Sequence, residues 1–354
     1  MKKCFVYIAL ISLFVFIISC KKKPDEPVLS FDYNVWVLNE GLWNMNNSGI
    51  TGYHTQSKAY ASDFFSQENG RALGDIANDM IIYGSKAYVV INQSSVLEVV
   101  DVYSGKSIKQ ISLINEKGKG RQPRCITSYR KYVYVCCFDG YVLQFDTSSF
   151  HLVSTLKAGD NPDGICVAND KLYVSNSGGL NYPDYGNTVS VFDLKTGKEI
   201  KKIKVHTNPG KLMSDAYGRV FLMSLGNYED IPSRLQRINT HSDTVEETYD
   251  FSVSNFDIYR TTLYFYHYDF QSGKTVFKQM DTQSGQISTC AFSPSNQKFQ
   301  TPYSLSVNPH TGDIYIGDAL DYQSKGDVYA FTPKGELKFS FEAGICPKKV
   351  VFLN

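Results

Sequence analysis

Metal or acid–base chemistry needs side chains at set spacings, and this chain offers few. Its six histidines (His54, His151, His206, His241, His267 and His310) are scattered without ligand spacing. Cys125, Cys136, Cys137, Cys166, Cys290 and Cys346 form no Cys-x-x-Cys pair and read as buried, unpaired thiols. No nucleophile–base pair is legible. Asp101, Asp146, Asp193 and Asp281 recur in register, which suits turn carboxylates, because a catalytic acid used once need not be repeated. A second group is arranged differently. Trp43, Asn44, Asn181, Tyr182, Tyr185, Asn227, Tyr228 and Tyr268 mix aromatic faces with amides inside Gly- and Asn-rich stretches. Such a set suits a broad amphipathic neutral ligand, a glycan or a protein surface. The expected chemistry is recognition, not turnover.

The elements that hold these residues come from a repeat. Asn161–Ile203 reads as four short strands: one opened by Pro162-Asp163-Gly164-Ile165, then Lys171–Ser175, Thr188–Asp193 and, after the turn Lys195-Thr196-Gly197-Lys198, Glu199–Ile203. Alternation is only partial, as expected of strands squeezed between neighbouring sheets. The unit recurs seven times over residues 33–354. Prolines 123, 162, 209, 302 and 347 mark the period, with the gap between 209 and 302 spanning two units. Four strands per unit at such a period predict radially repeated sheets. The first unit lacks an opening strand, and the tail Cys346–Leu353 is an opening strand with nothing after it. The expected fold is therefore all-β: a seven-bladed β-propeller of four-stranded antiparallel blades, its ring closed by the C-terminal strand joining the N-terminal blade.

In such a blade the loop between strands two and three shares a rim with the connection into the next blade. Those loops (Asn39–Gly49, Asn176–Asn187, Leu225–Ser233, His267–Lys274 and Asp318–Gly326) are long and aromatic, whereas the opposite hairpins are short and polar. The tunnel mouth on that rim is expected to gather Asn78, Asp79, Gln122, Arg124, Asn161, Asp163, Asn208, Asn255, Asp257, Tyr303 and Lys348. Asn before Pro also serves turn geometry there. His206 with Asp163 and Asp257 is the one constellation resembling the metal sites of propeller lactonases and lyases. The acidic Asp318–Asp327 loop offers carboxylates of the kind calcium takes, but it lacks an EF-hand pattern.

The first residues are of another kind. Lys2-Lys3, the apolar run Cys4–Ile18 and Ser19-Cys20 resemble a bacterial lipoprotein signal, which implies a leader 1–19 and a lipidated Cys20. Residues 20–30 then read as a tether and 31–354 as the propeller. The form before Cys20 resembles lipoproteins of Bacteroidetes-type bacteria, and the lysines and acids after it resemble the signal that sends such proteins to the outer face of the outer membrane, which implies a surface-exposed location. Lys+Arg 36 against Asp+Glu 35 gives a net charge of +1, so no nucleic-acid partner is expected.

The repeat motifs Pro162-Asp163-Gly164-Ile165, Leu172–Asn176, Val189–Asp193 and Thr196-Gly197-Lys198 resemble the YncE-like, surface-layer group of seven-bladed propellers. Some relatives of that group are cobalamin-binding lipoproteins seated over TonB-dependent transporters. The resemblance implies capture of a corrinoid as ligand, with no cofactor. Trp43, Tyr182, Tyr185, Tyr228 and Tyr268 would meet the corrin edge, and Asn44, Asn181 and Asn227 its amides, with Arg124, Asp163 and Tyr303 at the mouth. An adhesion module for protein or glycan would use the same surface.

Overall fold

The computed structural model describes residues 31–288 and 297–353. The leader, Cys20, the tether up to Ser30 and Cys290 lie outside them. The chain opens with β1 (Val35–Asn39), β2 (Gly49–Tyr53), β3 (Tyr60–Ala61) and α1 (Phe64–Asn69). The second blade is β4 (Ala77–Tyr83), β5 (Lys86–Ile91), β6 (Val96–Asp101) and β7 (Ser107–Ser112); the third is β8 (Pro123–Tyr129), β9 (Tyr132–Cys137), β10 (Tyr141–Asp146) and β11 (Leu152–Lys157). The fourth holds β12 (Pro162–Ala168), β13 (Lys171–Asn176), β14 (Thr188–Asp193) and β15 (Lys198–Lys204), the fifth β16 (Pro209–Ser214), β17 (Val220–Ser224), β18 (Arg234–Asn239) and β19 (Thr244–Tyr249). The sixth comprises β20 (Asn255–Tyr259), β21 (Thr262–Asp269), β22 (Lys274–Asp281) and β23 (Ile287–Ser288), and the seventh β24 (Pro302–Val307), β25 (Ile314–Asp318), β26 (Lys325–Phe331) and β27 (Leu337–Ile345). The last strand, β28 (Pro347–Phe352), pairs antiparallel with β1, setting Val35 opposite Phe352 and Trp36 opposite Val351. This completes seven four-stranded sheets and closes the ring, with β28 as the inner strand of the first sheet.

Both faces of each blade are buried, which explains the partial alternation. Along β1, Val35 and Val37 pack into one apolar cluster with Tyr315, Val328 and Phe341 of the seventh blade. Trp36 and Leu38, pointing the other way, join Met80, Val89 and Val100 of the second. The adjacent thiols behave likewise: Cys137 faces the second blade and Cys136 the fourth. The described cysteines Cys125, Cys136, Cys137, Cys166 and Cys346 are unpaired.

The repeated aspartates are turn residues. Asp193 Oδ1 accepts from the N–H groups of Lys195 at 3.1 Å and Thr196 at 2.7 Å and from the Thr196 hydroxyl at 2.8 Å. Asp101, Asp146 and Asp281 repeat this with Ser104, Ser149 and Ser284. Two local features differ from expectation. The connection into β4 contains a single-turn helix, α1, capped by Asp63 and buried through Phe64 and Phe65. The loop expected over His267–Lys274 is only 270–273, because β21 and β22 continue to pair, Tyr268 lying opposite Thr275.

Around the tunnel, a side chain straps each blade to the next. Asp79 of β4 accepts from the Ile126 N–H of β8 at 3.0 Å, and Asp257 of β20 from the Val307 N–H of β24 at 2.8 Å. Ser306 of β24 accepts from the Val350 N–H of β28 at 3.2 Å, and Lys349 of β28 pairs with Asp79. Arg124 of β8 meets Asp163 of β12 at 2.6 Å. Ser175 carries the fourth blade to the Gly210 carbonyl of the fifth at 2.8 Å, and Lys211 of β16 reaches the Phe256 carbonyl of β20. At the fourth–fifth junction the strands come so close that a Cβ on Gly164 would sit 2.0 Å from the Gly210 oxygen. Only glycine fits there.

Candidate functional site

The mouth is built by a repeated irregularity. In six of the seven blades the pairing of the inner strand with its neighbour slips where the inner strand begins. The skipped residues are Asn78, Arg124, Asp163, the pair Gly210-Lys211, Tyr303 and Lys348. A bulge of this kind bends the strand and re-aims the extra side chain; here those residues line a cavity of about 590 Å³. The sixth blade has no bulge and presents Asn255 and Asp257. Gln122, Asn161 and Asn208, just before the opening prolines, adopt left-handed φ of 52°, 47° and 58°. Their carbonyls accept from the ends of the second strands, at Phe138, Ser177 and Leu225. They are turn residues first, as asparagine tolerates that conformation.

The mouth side chains form a continuous hydrogen-bonded arc. Arg124 Nε donates to Asp163 Oδ1 at 2.6 Å and its Nη1 to Asn78 Oδ1 at 3.2 Å. Asn78 donates to Glu40 Oε1 at 3.2 Å. Glu40 also takes Lys348 Nζ at 3.2 Å and the Tyr303 hydroxyl. Lys211 Nζ donates to Asn255 Oδ1 at 3.0 Å. Burial works against the Arg124 charge, yet Asp163 more than offsets it and holds the guanidinium protonated. Lys348 is likewise buried but kept charged by Glu40. Burial lowers the Lys211 pKa, with Asp257 pulling the other way, and raises that of Asp257.

Above the arc stand the long loops. Tyr182 and Tyr185 of the fourth blade and Tyr228 of the fifth make two successive edge-on contacts, with ring centroids 6.1 Å and 6.0 Å apart. The Tyr182 hydroxyl donates to Glu229 at 2.6 Å, tying the two loops together. Tyr182 and Tyr228 are nonetheless 64% and 69% exposed, and Trp43 on the first blade's loop is 59% exposed. Such exposure of large rings around a concave opening marks a contact surface. Asn44 and Asn181 are exposed on the same rim. Asn227 is committed to its own loop, donating to Asp230 at 2.7 Å and accepting from the N–H groups of Glu229 and Ile231. Tyr268 is half-buried, edge-on to the exposed Phe270 at 4.8 Å, and donates its hydroxyl to the Gln300 carbonyl at 3.2 Å. The loops of the second and third blades are short, spanning 92–95 and 138–140, which leaves the crown low on that side.

Glu40, Lys211 and Lys349 belong to the mouth and were not among the residues the sequence nominated. The proline-based repeat could have flagged both lysines, each two residues after an opening proline. His206 does not join Asp163 and Asp257: its Nε2 lies 2.9 Å from the Pro232 carbonyl, while Asp163 is held by Arg124 and Asp257 by backbone N–H groups. No group of three or more His, Cys, Asp or Glu side chains is placed to hold a metal among the described residues.

A family model described as "Domain of unknown function (DUF5074)" matches residues 33–336. Among solved structures the chain is similar to one described as Kuenenia stuttgartiensis Hydrazine Synthase, at 15% identity and a TM-score of 0.63, over 77% of this chain and 88% of that one. At that identity the likeness concerns the fold alone. None of the curated proteins matches the sequence.

Proposed function

This chain belongs to the DUF5074 family, and on that premise we propose that it is a lipid-anchored surface protein whose mouth captures an amphipathic ligand without turning it over. In this reading Cys20 carries the lipid at the outer membrane, and the ligand is a corrinoid handed to a TonB-dependent transporter. The observation that carries it is the pairing of a concave, hydrogen-bonding funnel with a crown of exposed aromatic rings. A volume of about 590 Å³ falls in the range of roughly 300–1,000 Å³ that small-ligand sites occupy. The corrin ring would lie across the mouth against Trp43, Tyr182, Tyr185 and Tyr228. Its amide arms would meet Asn44, Asn181 and the polar arc from Asp163 to Tyr303. A flat or sealed face would instead favour an adhesion module. Each mouth carboxylate already accepts from a cation, a hydroxyl or a backbone N–H. That arrangement fixes a shape and a hydrogen-bond pattern.

Titration of the purified protein with cobalamin and cobinamide, followed by calorimetry, tests the reading. Saturable binding is expected, weakened about tenfold by Tyr228→Ala, since a packed aromatic contact carries on the order of 1 kcal/mol beyond its buried area. Absence of saturable binding to either corrinoid removes the transport role.

A further inference from the structure

We propose that the mouth wall at Lys211 is an anion-binding position for a phosphate or carboxylate group on the captured ligand. The proposal rests on the mouth being a capture site and names a charged group on its ligand. Two independent observations lead to it. The first is a missing counter-ion. Arg124 is bound to Asp163, Lys348 to Glu40 and Lys349 to Asp79. Lys211, in the same wall, contacts no carboxylate among the described residues. It donates to two neutral acceptors, Asn255 Oδ1 and the Phe256 carbonyl, which leaves one of its three N–H groups uncommitted. Asp257 attracts it from a distance, but its oxygens accept from the N–H groups of Ile258 at 2.7 Å and Val307 at 2.8 Å.

The second observation is a missing side chain. Where five other blades project Asn78, Arg124, Asp163, Tyr303 and Lys348 from the bulge, the fifth has Gly210. A Cβ built on Gly210 would meet only the Met223 carbonyl oxygen, at 3.7 Å, so the ring of side chains has a notch beside Lys211. The tyrosine crescent ends at Tyr228, on the β17–β18 loop of the same blade that carries this notch. An arm descending from a ring held by Tyr185 and Tyr228 would thus pass Gly210 and end at the ammonium. A buried ammonium with only neutral partners gains more from an incoming anion than one already paired.

Calorimetric titration of the protein with inorganic phosphate and, separately, acetate tests this, comparing wild type with Lys211→Met and Gly210→Val. Saturable binding is expected for at least one anion, and the comparison tells phosphate from carboxylate recognition. Both substitutions should weaken it about tenfold or more, the value of one charge-assisted hydrogen bond. Lys211→Met removes the Phe256 strap as well; Gly210→Val leaves the ammonium and the strap in place and fills the notch, so it reads the site where the methionine variant folds poorly. No saturable anion binding, or binding untouched by Gly210→Val, overturns the proposal. These titrations contain no corrinoid, so their failure is read apart from a failure of corrinoid capture.

Discussion

At the mouth, individual side chains are held by their partners more than by their own strands. Arg124 and Asp163 are each largely buried, at 23% and 18% side-chain exposure, and each bridges two blades. Removing one member leaves the other charge uncompensated, which costs more than removing both. Arg124→Met is therefore expected to lower the unfolding free energy by about 2–3 kcal/mol, and Arg124→Met with Asp163→Asn to recover most of the loss. Urea denaturation of the single and double variants measures the difference, and equal losses in both would refute the coupling. The same geometry explains why Lys211 and Lys349 were hard to nominate. Alternation assigns side chains to faces by counting in twos, and a bulge inserts one residue that shifts the count. Nothing in a single sequence announces the bulge except the proline ahead of it.

Among the elements, the repeating strands were legible, and the local departures from the repeat were not. Prolines opening the inner strands and aspartates closing the third strands placed β12 to β15 almost residue by residue, because a turn carboxylate fixes the register of its hairpin. The helix α1 was not legible: six residues give less than two turns of periodicity, and its burial through Phe64 and Phe65 is a tertiary effect. The extension of β21 and β22 was hidden likewise, since His267, Tyr268 and Asp269 have no turn-breaking neighbour until Gly273. The turn aspartates carry a pH prediction. Hydrogen bonds hold the carboxyls of Asp146, Asp193 and Asp281 below the usual range: first the Ser149 N–H, the Thr196 hydroxyl and the Ser284 N–H respectively. Their folded pKa values lie below the unfolded value of about 3.9, so their contribution is complete above that pH and is lost as pH falls through the folded values. Asn239 fills the same place in the fifth blade, accepting from the His241 N–H at 2.9 Å and the Ser242 N–H at 3.2 Å. Replacing all three aspartates with asparagine should keep the turns and flatten the loss of stability in acid. Urea midpoints from pH 7 down to about pH 3 read this, and parallel curves for variant and wild type would exclude it.

For the whole molecule, the ring is a single closed circuit, and its weakest link in sequence terms is the last strand. β28 supplies Val350 to one inter-blade cluster and Val351 to the next. It also brings Lys348 and Lys349 to the mouth and forms two of the seven straps, to Ser306 and to Asp79. Deleting Pro347–Asn354 would strip β1 of its partner and expose an unpaired edge beside two opened apolar interfaces. The expected result is loss of a cooperative thermal transition and aggregation, with the mouth abolished. Moving the chain break is a different matter. The Leu353 N–H donates to the Asn34 carbonyl at 3.0 Å, so the two ends of the described domain already meet. A permutant that joins them by a short linker and opens the chain in the exposed turn at Lys195–Gly197 keeps every strand and every strap. It should therefore unfold cooperatively and bind as the parent does, because new ends are tolerated in exposed turns whose backbone is not buried. Calorimetry on both forms decides the matter. A cooperative deletion variant, or a permutant that fails to fold, would mean that stability resides in single blades and that circuit closure does not hold the mouth together.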